Sequence, residues 1–144
     1  MNILTEWRKA VIEQLDTNLQ AGKWKGRVKP GERDGAVTGK RLCHVFAPPV
    51  RAEAGNVNFA RPVLLVRAWI PTPRTPRNPA PRDPEPIEQL MIDLMTTLEA
   101  IQVLPNLVDG GGLYFFVTEV VPDYDDWGVQ ATLNGWMRNP ATTP

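Results

Sequence analysis

Cysteine and histidine are almost missing from this chain. Its 144 residues hold one of each, Cys43 and His44, which rules out an intrachain disulfide framework and any cysteine-based metal cluster. No nucleophile or carboxylate recurs near His44 at a recognisable spacing, so it reads as a satisfied strand residue and not as a general base. Net charge is lacking as well: sixteen Lys and Arg face sixteen Asp and Glu, which argues against a general nucleic-acid binder. The longest apolar run is interrupted by Arg67, too short to span a bilayer, and the opening Met-Asn-Ile-Leu-Thr-Glu lacks the basic-then-apolar pattern of a leader. A soluble, unexported protein forming a single domain over residues 1–144 is the expectation.

What the chain has instead is proline, concentrated in one place. Seven of its fifteen prolines fall between Pro71 and Pro86. Neither a helix nor a sheet interior holds such a run, because proline fixes φ and has no N–H, so 71–86 is predicted to be an extended, polyproline-like arm. Arg74, Arg77 and Arg82 are displayed along it. The spacing Pro73-x-x-Pro76-x-x-Pro79 invites comparison with SH3 ligands, but the flanking cation such recognition needs is absent from the register. The arm therefore reads as a structural projection.

On either side of the arm the patterns are regular. Before it, Val63 to Ile70 is a β-branched and aromatic run with one wholly apolar face (Leu64, Val66, Ala68, Ile70), the signature of a central strand. After it, Asp83 is placed to cap a helix, Pro84 suits the first helical position, and Ile87, Leu90, Met91, Leu94, Leu98 and Ile101 form one stripe. That stripe is the natural cover of a sheet.

Elsewhere, the ladder Ile3, Trp7, Val11, Leu15, Leu19 predicts an N-terminal helix closed by Gly22. Short strands are expected over Trp24–Lys29 and Arg41–Ala47, with loops at 30–39 and 50–60. The glycines of the first loop precede neither a Lys-Ser/Thr pair nor a helix start, so no phosphate cradle is read there. Pro105 and Asp109-Gly110-Gly111-Gly112 suggest a flexible connection. Leu113–Val121 and Val129–Met137 then form a closing antiparallel hairpin, and 139–144 a polar tail.

Between the last two strands lies an acidic turn, Asp123-Tyr124-Asp125-Asp126-Trp127-Gly128. Its first, third and sixth positions fit a calcium loop, but Trp127 stands at the fifth, a ligand position, and Asn134 at the twelfth, where a bidentate Glu is needed, so no metal is expected. Charge is also unevenly divided. Residues 1–82 carry fifteen Lys and Arg against six acids, a net +9, and residues 83–144 carry one against ten, a net −9. A molecule with a basic and an acidic face can associate head to tail with its own copies. The candidate subunit-interface residues are Arg74, Arg77 and Arg82 on the arm and Asp123, Asp125, Asp126 and Trp127 in the turn.

The predicted fold class is thus α+β: a mixed or antiparallel sheet of about five strands, an N-terminal helix, a second helix packed on it, and the extended arm. This order of elements, together with Val66-Arg67-Ala68-Trp69-Ile70-Pro71 before the arm and Trp127-x-x-x-Ala131-Thr132-Leu133 in the last strand, resembles the tail-terminator proteins of long-tailed (siphovirus-type) bacteriophages. The resemblance covers about Asn2 to Arg138 and departs from the usual pattern in the richness of the proline arm. It implies a structural virion protein of the tail and neck, assembled in the host cytoplasm, without catalytic residue or cofactor. Such a protein forms a homo-oligomeric ring, a hexamer in the family, on the last tail-tube ring. The ring halts tube polymerisation, offers a surface to the head-tail connector, and lets the genome pass without sequence-specific binding; no membrane is involved. Two alternatives stand beside it: another neck protein (a connector or tube subunit), and a small cytosolic ligand-binding or enzymatic α+β domain.

Overall fold

The computed structural model describes residues 3–31, 41–48, 63–71, 83–100, 103–108, 111–124 and 127–137. The arm between Pro71 and Asp83, the loop expected at 50–60 and the tail at 139–144 lie outside the described residues.

Helix α1 (Ile3–Asn18) forms where the four-residue ladder predicts it. Trp7, Val11, Leu15 and Leu19 are fully buried in one stripe. The helix tightens into a single 3₁₀ turn over Leu19–Gly22, in which not only Gly22 (φ 84°) but also Gln20 (φ 48°) and Ala21 (φ 57°) are left-handed. A left-handed non-glycine residue costs about 1–2 kcal/mol. Two side-chain hydrogen bonds offset this at Gln20: its carboxamide accepts from Trp24 Nε1 at 3.0 Å and donates to Asp93 Oδ2 at 3.0 Å, and Gln89 donates to Asp93 Oδ1 at 2.9 Å, holding that carboxylate in place. The chain reversal is thereby tied to the second helix.

Strand β1 (Val28–Pro30) overlaps only the last two residues of the first strand expected from the sequence. Trp24 to Gly26 form a turn instead, with Gly26 N donating to Asp16 Oδ1 at 2.6 Å and Trp24 fully buried. Strands β2 (Leu42–Phe46) and β3 (Val63–Trp69) follow. Helix α2 (Glu85–Glu99) starts as expected: Pro84 is helical at φ −76°, and Glu85 N donates to Asp83 Oδ1 at 3.0 Å. Ile87, Leu90, Leu94 and Leu98 are fully buried along it.

The expected flexible connection is in fact a strand, β4 (Val103–Val108), paired antiparallel with β5 (Gly111–Asp123). Proline is admitted because β4 is the edge of the sheet, where one side of the strand needs no partner for a missing N–H. With β6 (Gly128–Met137) the described residues form a six-stranded sheet in the order β1-β2-β3-β6-β5-β4, and among them only β1 and β2 run parallel. The fold class is α+β, with one mixed sheet and two helices. β3 lies at the centre beside β6, and β5 and β6 form the predicted hairpin.

Both helices cover one face of the sheet. Their stripes meet Cys43, Val45, Leu64, Val66, Ala68, Phe115, Val129, Ala131 and Leu133 in a single core, in which Trp7 and Phe115 stack at 5.3 Å between ring centroids. Each such aliphatic side chain, fully buried, contributes about 1.5–3 kcal/mol. Among the described residues the opposite face carries no helix. There His44, Phe46 and Trp69 make a smaller cluster: His44 meets Trp69 edge-on at 6.1 Å, and the Arg67 guanidinium lies 5.5 Å from the Phe46 ring.

Candidate functional site

One end of the sheet gathers the features the sequence singles out. The register Trp69↔Gly128↔Asp123 sets the exit of β3, the entry of β6 and the end of β5 side by side. Close packing there requires glycine, since a Cβ on Gly128 would sit 2.7 Å from the Ala68 carbonyl oxygen and 2.9 Å from Trp69 Cδ1. Trp127, expected with its neighbours at a subunit interface, is only 3% exposed and belongs to the core. Its left-handed backbone (φ 58°) turns it inward, and its carbonyl accepts from Ile70 N at 3.2 Å. Acidic neighbours make such a tryptophan look like a surface residue, while a positive φ leaves no trace in hydropathy.

Both roots of the arm are at this end. Pro71 and Asp83 line one cavity of about 450 Å³ with Ile70, Pro86 and Trp127, and Lys23 and Arg41 are among its lining residues. Arg74, Arg77 and Arg82, like Asp125 and Asp126, lie outside the described residues. Asp123 is exposed at the last position of β5.

The sequence reading misses the rest of β5. Its pairing with β6 slips between Val117 and Glu119, a β-bulge that leaves Thr118 extra. The Thr118 hydroxyl clamps the slip, accepting from Asn134 Nδ2 at 2.6 Å and donating to the Thr132 carbonyl at 3.4 Å. Before the slip Phe115 and Val117 face the helices; after it Val120 and Pro122 do. Phe116, Glu119, Val121 and Asp123 therefore share the helix-free face, with Phe116 53%, Val121 40% and the following Tyr124 48% exposed. Glu119, Val121, Pro122, Asp123, Tyr124 and Gln130 line a shallow depression of about 600 Å³. Strict alternation from Phe115 puts Glu119 and Val121 on the helix side and Val120 on the other; the two-for-one count at the bulge is the missing signal.

His44 occupies the same face on β2, with β3 and β6 between it and β5. Its Nδ1 bonds the Gly31 carbonyl at 2.7 Å, while Nε2 is buried without a hydrogen-bond partner, so the residue is half satisfied. Across the sheet Arg67 donates twice to Gln130 Oε1, at 2.6 and 3.1 Å, which fixes a polar row between the small aromatic cluster and the β5 depression. Cys43 is fully buried on the helix side, and burial pushes its thiol up to about 12. Among the described residues no three His, Cys, Asp or Glu side chains converge to hold a metal ion, and no helix is long and apolar enough to cross a membrane.

Neither a protein-family model nor a curated protein matches the chain.

Proposed function

We propose that the protein is a structural subunit of a bacteriophage tail, forming a ring at the head-proximal end that stops tail-tube polymerisation and offers the joining surface for the head. The observation that carries this reading is where the two motifs of the resemblance fall. Val66–Trp69 and Gly128–Ala131 pair with each other, Val66 with Ala131, Ala68 with Val129 and Trp69 with Gly128, at the centre of the sheet. Two stretches about sixty residues apart in the chain are thus one local structure, which holds the arm at its exit and the acidic turn at its entry. A sheet whose described helices lie on one face, with the roots of the arginine-bearing segment 72–82 together at one end, suits a subunit that must offer different surfaces to two neighbours.

Two measurements test the reading. Purified protein should form closed rings by negative-stain microscopy and native mass, and particles produced without it should carry abnormally long tails or tails that fail to join heads. Tails of normal length that join heads normally would refute it. Normal tails without head joining would favour the connector reading.

A further inference from the structure

We infer that copies of the chain join through the two ends of the sheet: strand β1 of one copy pairs antiparallel with residues 119–123 of β5 in the next. The inference rests on the ring reading for its closure and adds to it the contact that is repeated.

Both strands have an open side. β1 is the first strand of the sheet and β4 meets β5 only as far as Tyr114, so among the described residues nothing pairs with the outer side of β1 or of 115–123. The open stretches lie at one level. The register runs Val28↔Cys43↔Ala68↔Val129↔Pro122 and Pro30↔Val45↔Val66↔Ala131↔Val120, which carries the three residues of β1 straight across to 120–122. Directions agree as well. One parallel and three antiparallel pairings separate the two strands, so β5 runs opposite to β1. A neighbour in the same orientation, with its helices on the same face, presents its β1 antiparallel to β5 and level with it.

The backbone groups match too. Cys43 N donates to the Arg27 carbonyl and Gly31 N to the Val45 carbonyl, so Val28 and Pro30 between them point outward. At the other end, Ile70 N donates to the Trp127 carbonyl, and alternation from that pair turns Gly128, Gln130 and Thr132 toward β5. Their partners Asp123, Val121 and Glu119 are thereby engaged, while Val120 and Pro122 point outward. Side by side, Val28 N–H meets the Pro122 carbonyl and Val120 N–H meets the Pro30 carbonyl. Each proline removes one donor, and with the bulge at Thr118 this makes both edges poor templates for any longer strand.

Charge selects which edges meet. On the helix-free face Lys29 comes opposite Val121 with Glu119 on its diagonal, and Arg27, Lys29 and Glu119 are all exposed. Two β1 edges would set cation against cation, and two β5 edges acid against acid, so only unlike edges attract. Within one chain the edges are four strand spacings apart, about 19 Å, and contact between them requires a second copy. An added strand also covers apolar surface on both rims of β5, Val121 on one side and Ile92 and Met95 on the other. Repeated round a ring, this is one heterologous contact that closes on itself.

Crosslinking tests the contact. Lys29 and Val121 would form a non-hydrogen-bonded pair, whose side chains approach closely enough for a disulfide. Chains carrying Lys29→Cys are mixed with chains carrying Val121→Cys and oxidised; native Cys43 stays silent because it is fully buried. Disulfides joining one chain of each kind should far outnumber those joining two alike, and the double variant should give covalently closed rings. In parallel, Lys29→Glu should raise the concentration for half assembly about fivefold or more, and adding Glu119→Lys should recover part of it. Rings that form without the 29–121 crosslink and ignore the charge reversals overturn the edge pairing and leave the ring reading standing. Crosslinked open filaments uphold the pairing and refute the ring. A chain that stays monomeric at every concentration removes both.

Discussion

At Gly128 a single hydrogen decides whether two strands can meet. Replacing it by Ala would drive a methyl group against the Ala68 carbonyl and the Trp69 ring, both of which belong to the central strand and have little room to yield. Overpacking of this kind costs about 1–3 kcal/mol, so Gly128→Ala should lower the urea midpoint with the slope unchanged. Cys43 supplies a second residue-scale prediction. Its folded-state value is raised from 9.0 to about 12 by burial, so between those limits the unfolded chain releases a proton that the folded chain keeps. Stability must then fall as pH rises through that window and be unaffected by Cys43 below it. The native thiol should resist alkylation at pH 8 and react once urea unfolds the chain, while Cys43→Ala should remove its share of the alkaline decline.

Among the elements, the turn that ends α1 carries strain that can be relieved selectively. Ala21 is left-handed and exposed, and unlike Gln20 no side-chain hydrogen bond compensates it. Ala21→Gly trades about 1–2 kcal/mol of strain against the larger unfolded-state entropy of glycine, so a rise of a few degrees in Tm is expected, whereas Gln20→Gly should gain less because it breaks the bonds to Trp24 and Asp93. Calorimetry of the two variants separates these cases. These elements also mark the reach of sequence reasoning. Helix α1, the central strand and α2 were legible because burial on one face stamps a period on the chain. Strand β4 was not, since Pro105 and a glycine run mark loops everywhere except at a sheet edge. The left-handed turn escaped for a different reason: the partners of Gln20 include Asp93, seventy-three residues on. At the candidate site Asp123 was legible from its charge, while Glu119 and Val121 depended on a bulge, and Trp127 on a backbone angle.

For the whole molecule, the division of charge along the chain predicts how fast copies find one another. Exposed pairs add about 1 kcal/mol or less each, but complementary fields accelerate encounter and choose the neighbour. Ring assembly followed by light scattering should therefore slow markedly between low and moderate salt, with a much smaller change in the final extent. The arm acts at the same scale. Exchanging 72–82 for a Gly/Ser segment of equal length should leave circular dichroism and Tm of the isolated subunit nearly unchanged while weakening assembly, because a flexible segment loses more entropy on docking than a proline-stiffened one. Unaltered assembly would deny the arm its role. The shared cavity at Pro71 and Asp83 has a further consequence, for variation among descendants of this chain. Closing a loop whose ends are already held together costs only about 0.6 kcal/mol for each doubling of its length. Codons can be gained or lost between those two residues with almost no penalty to the subunit, so on the proposed ring reading lineages facing neighbours of different girth can lengthen or shorten the arm while the sheet and helices are inherited untouched.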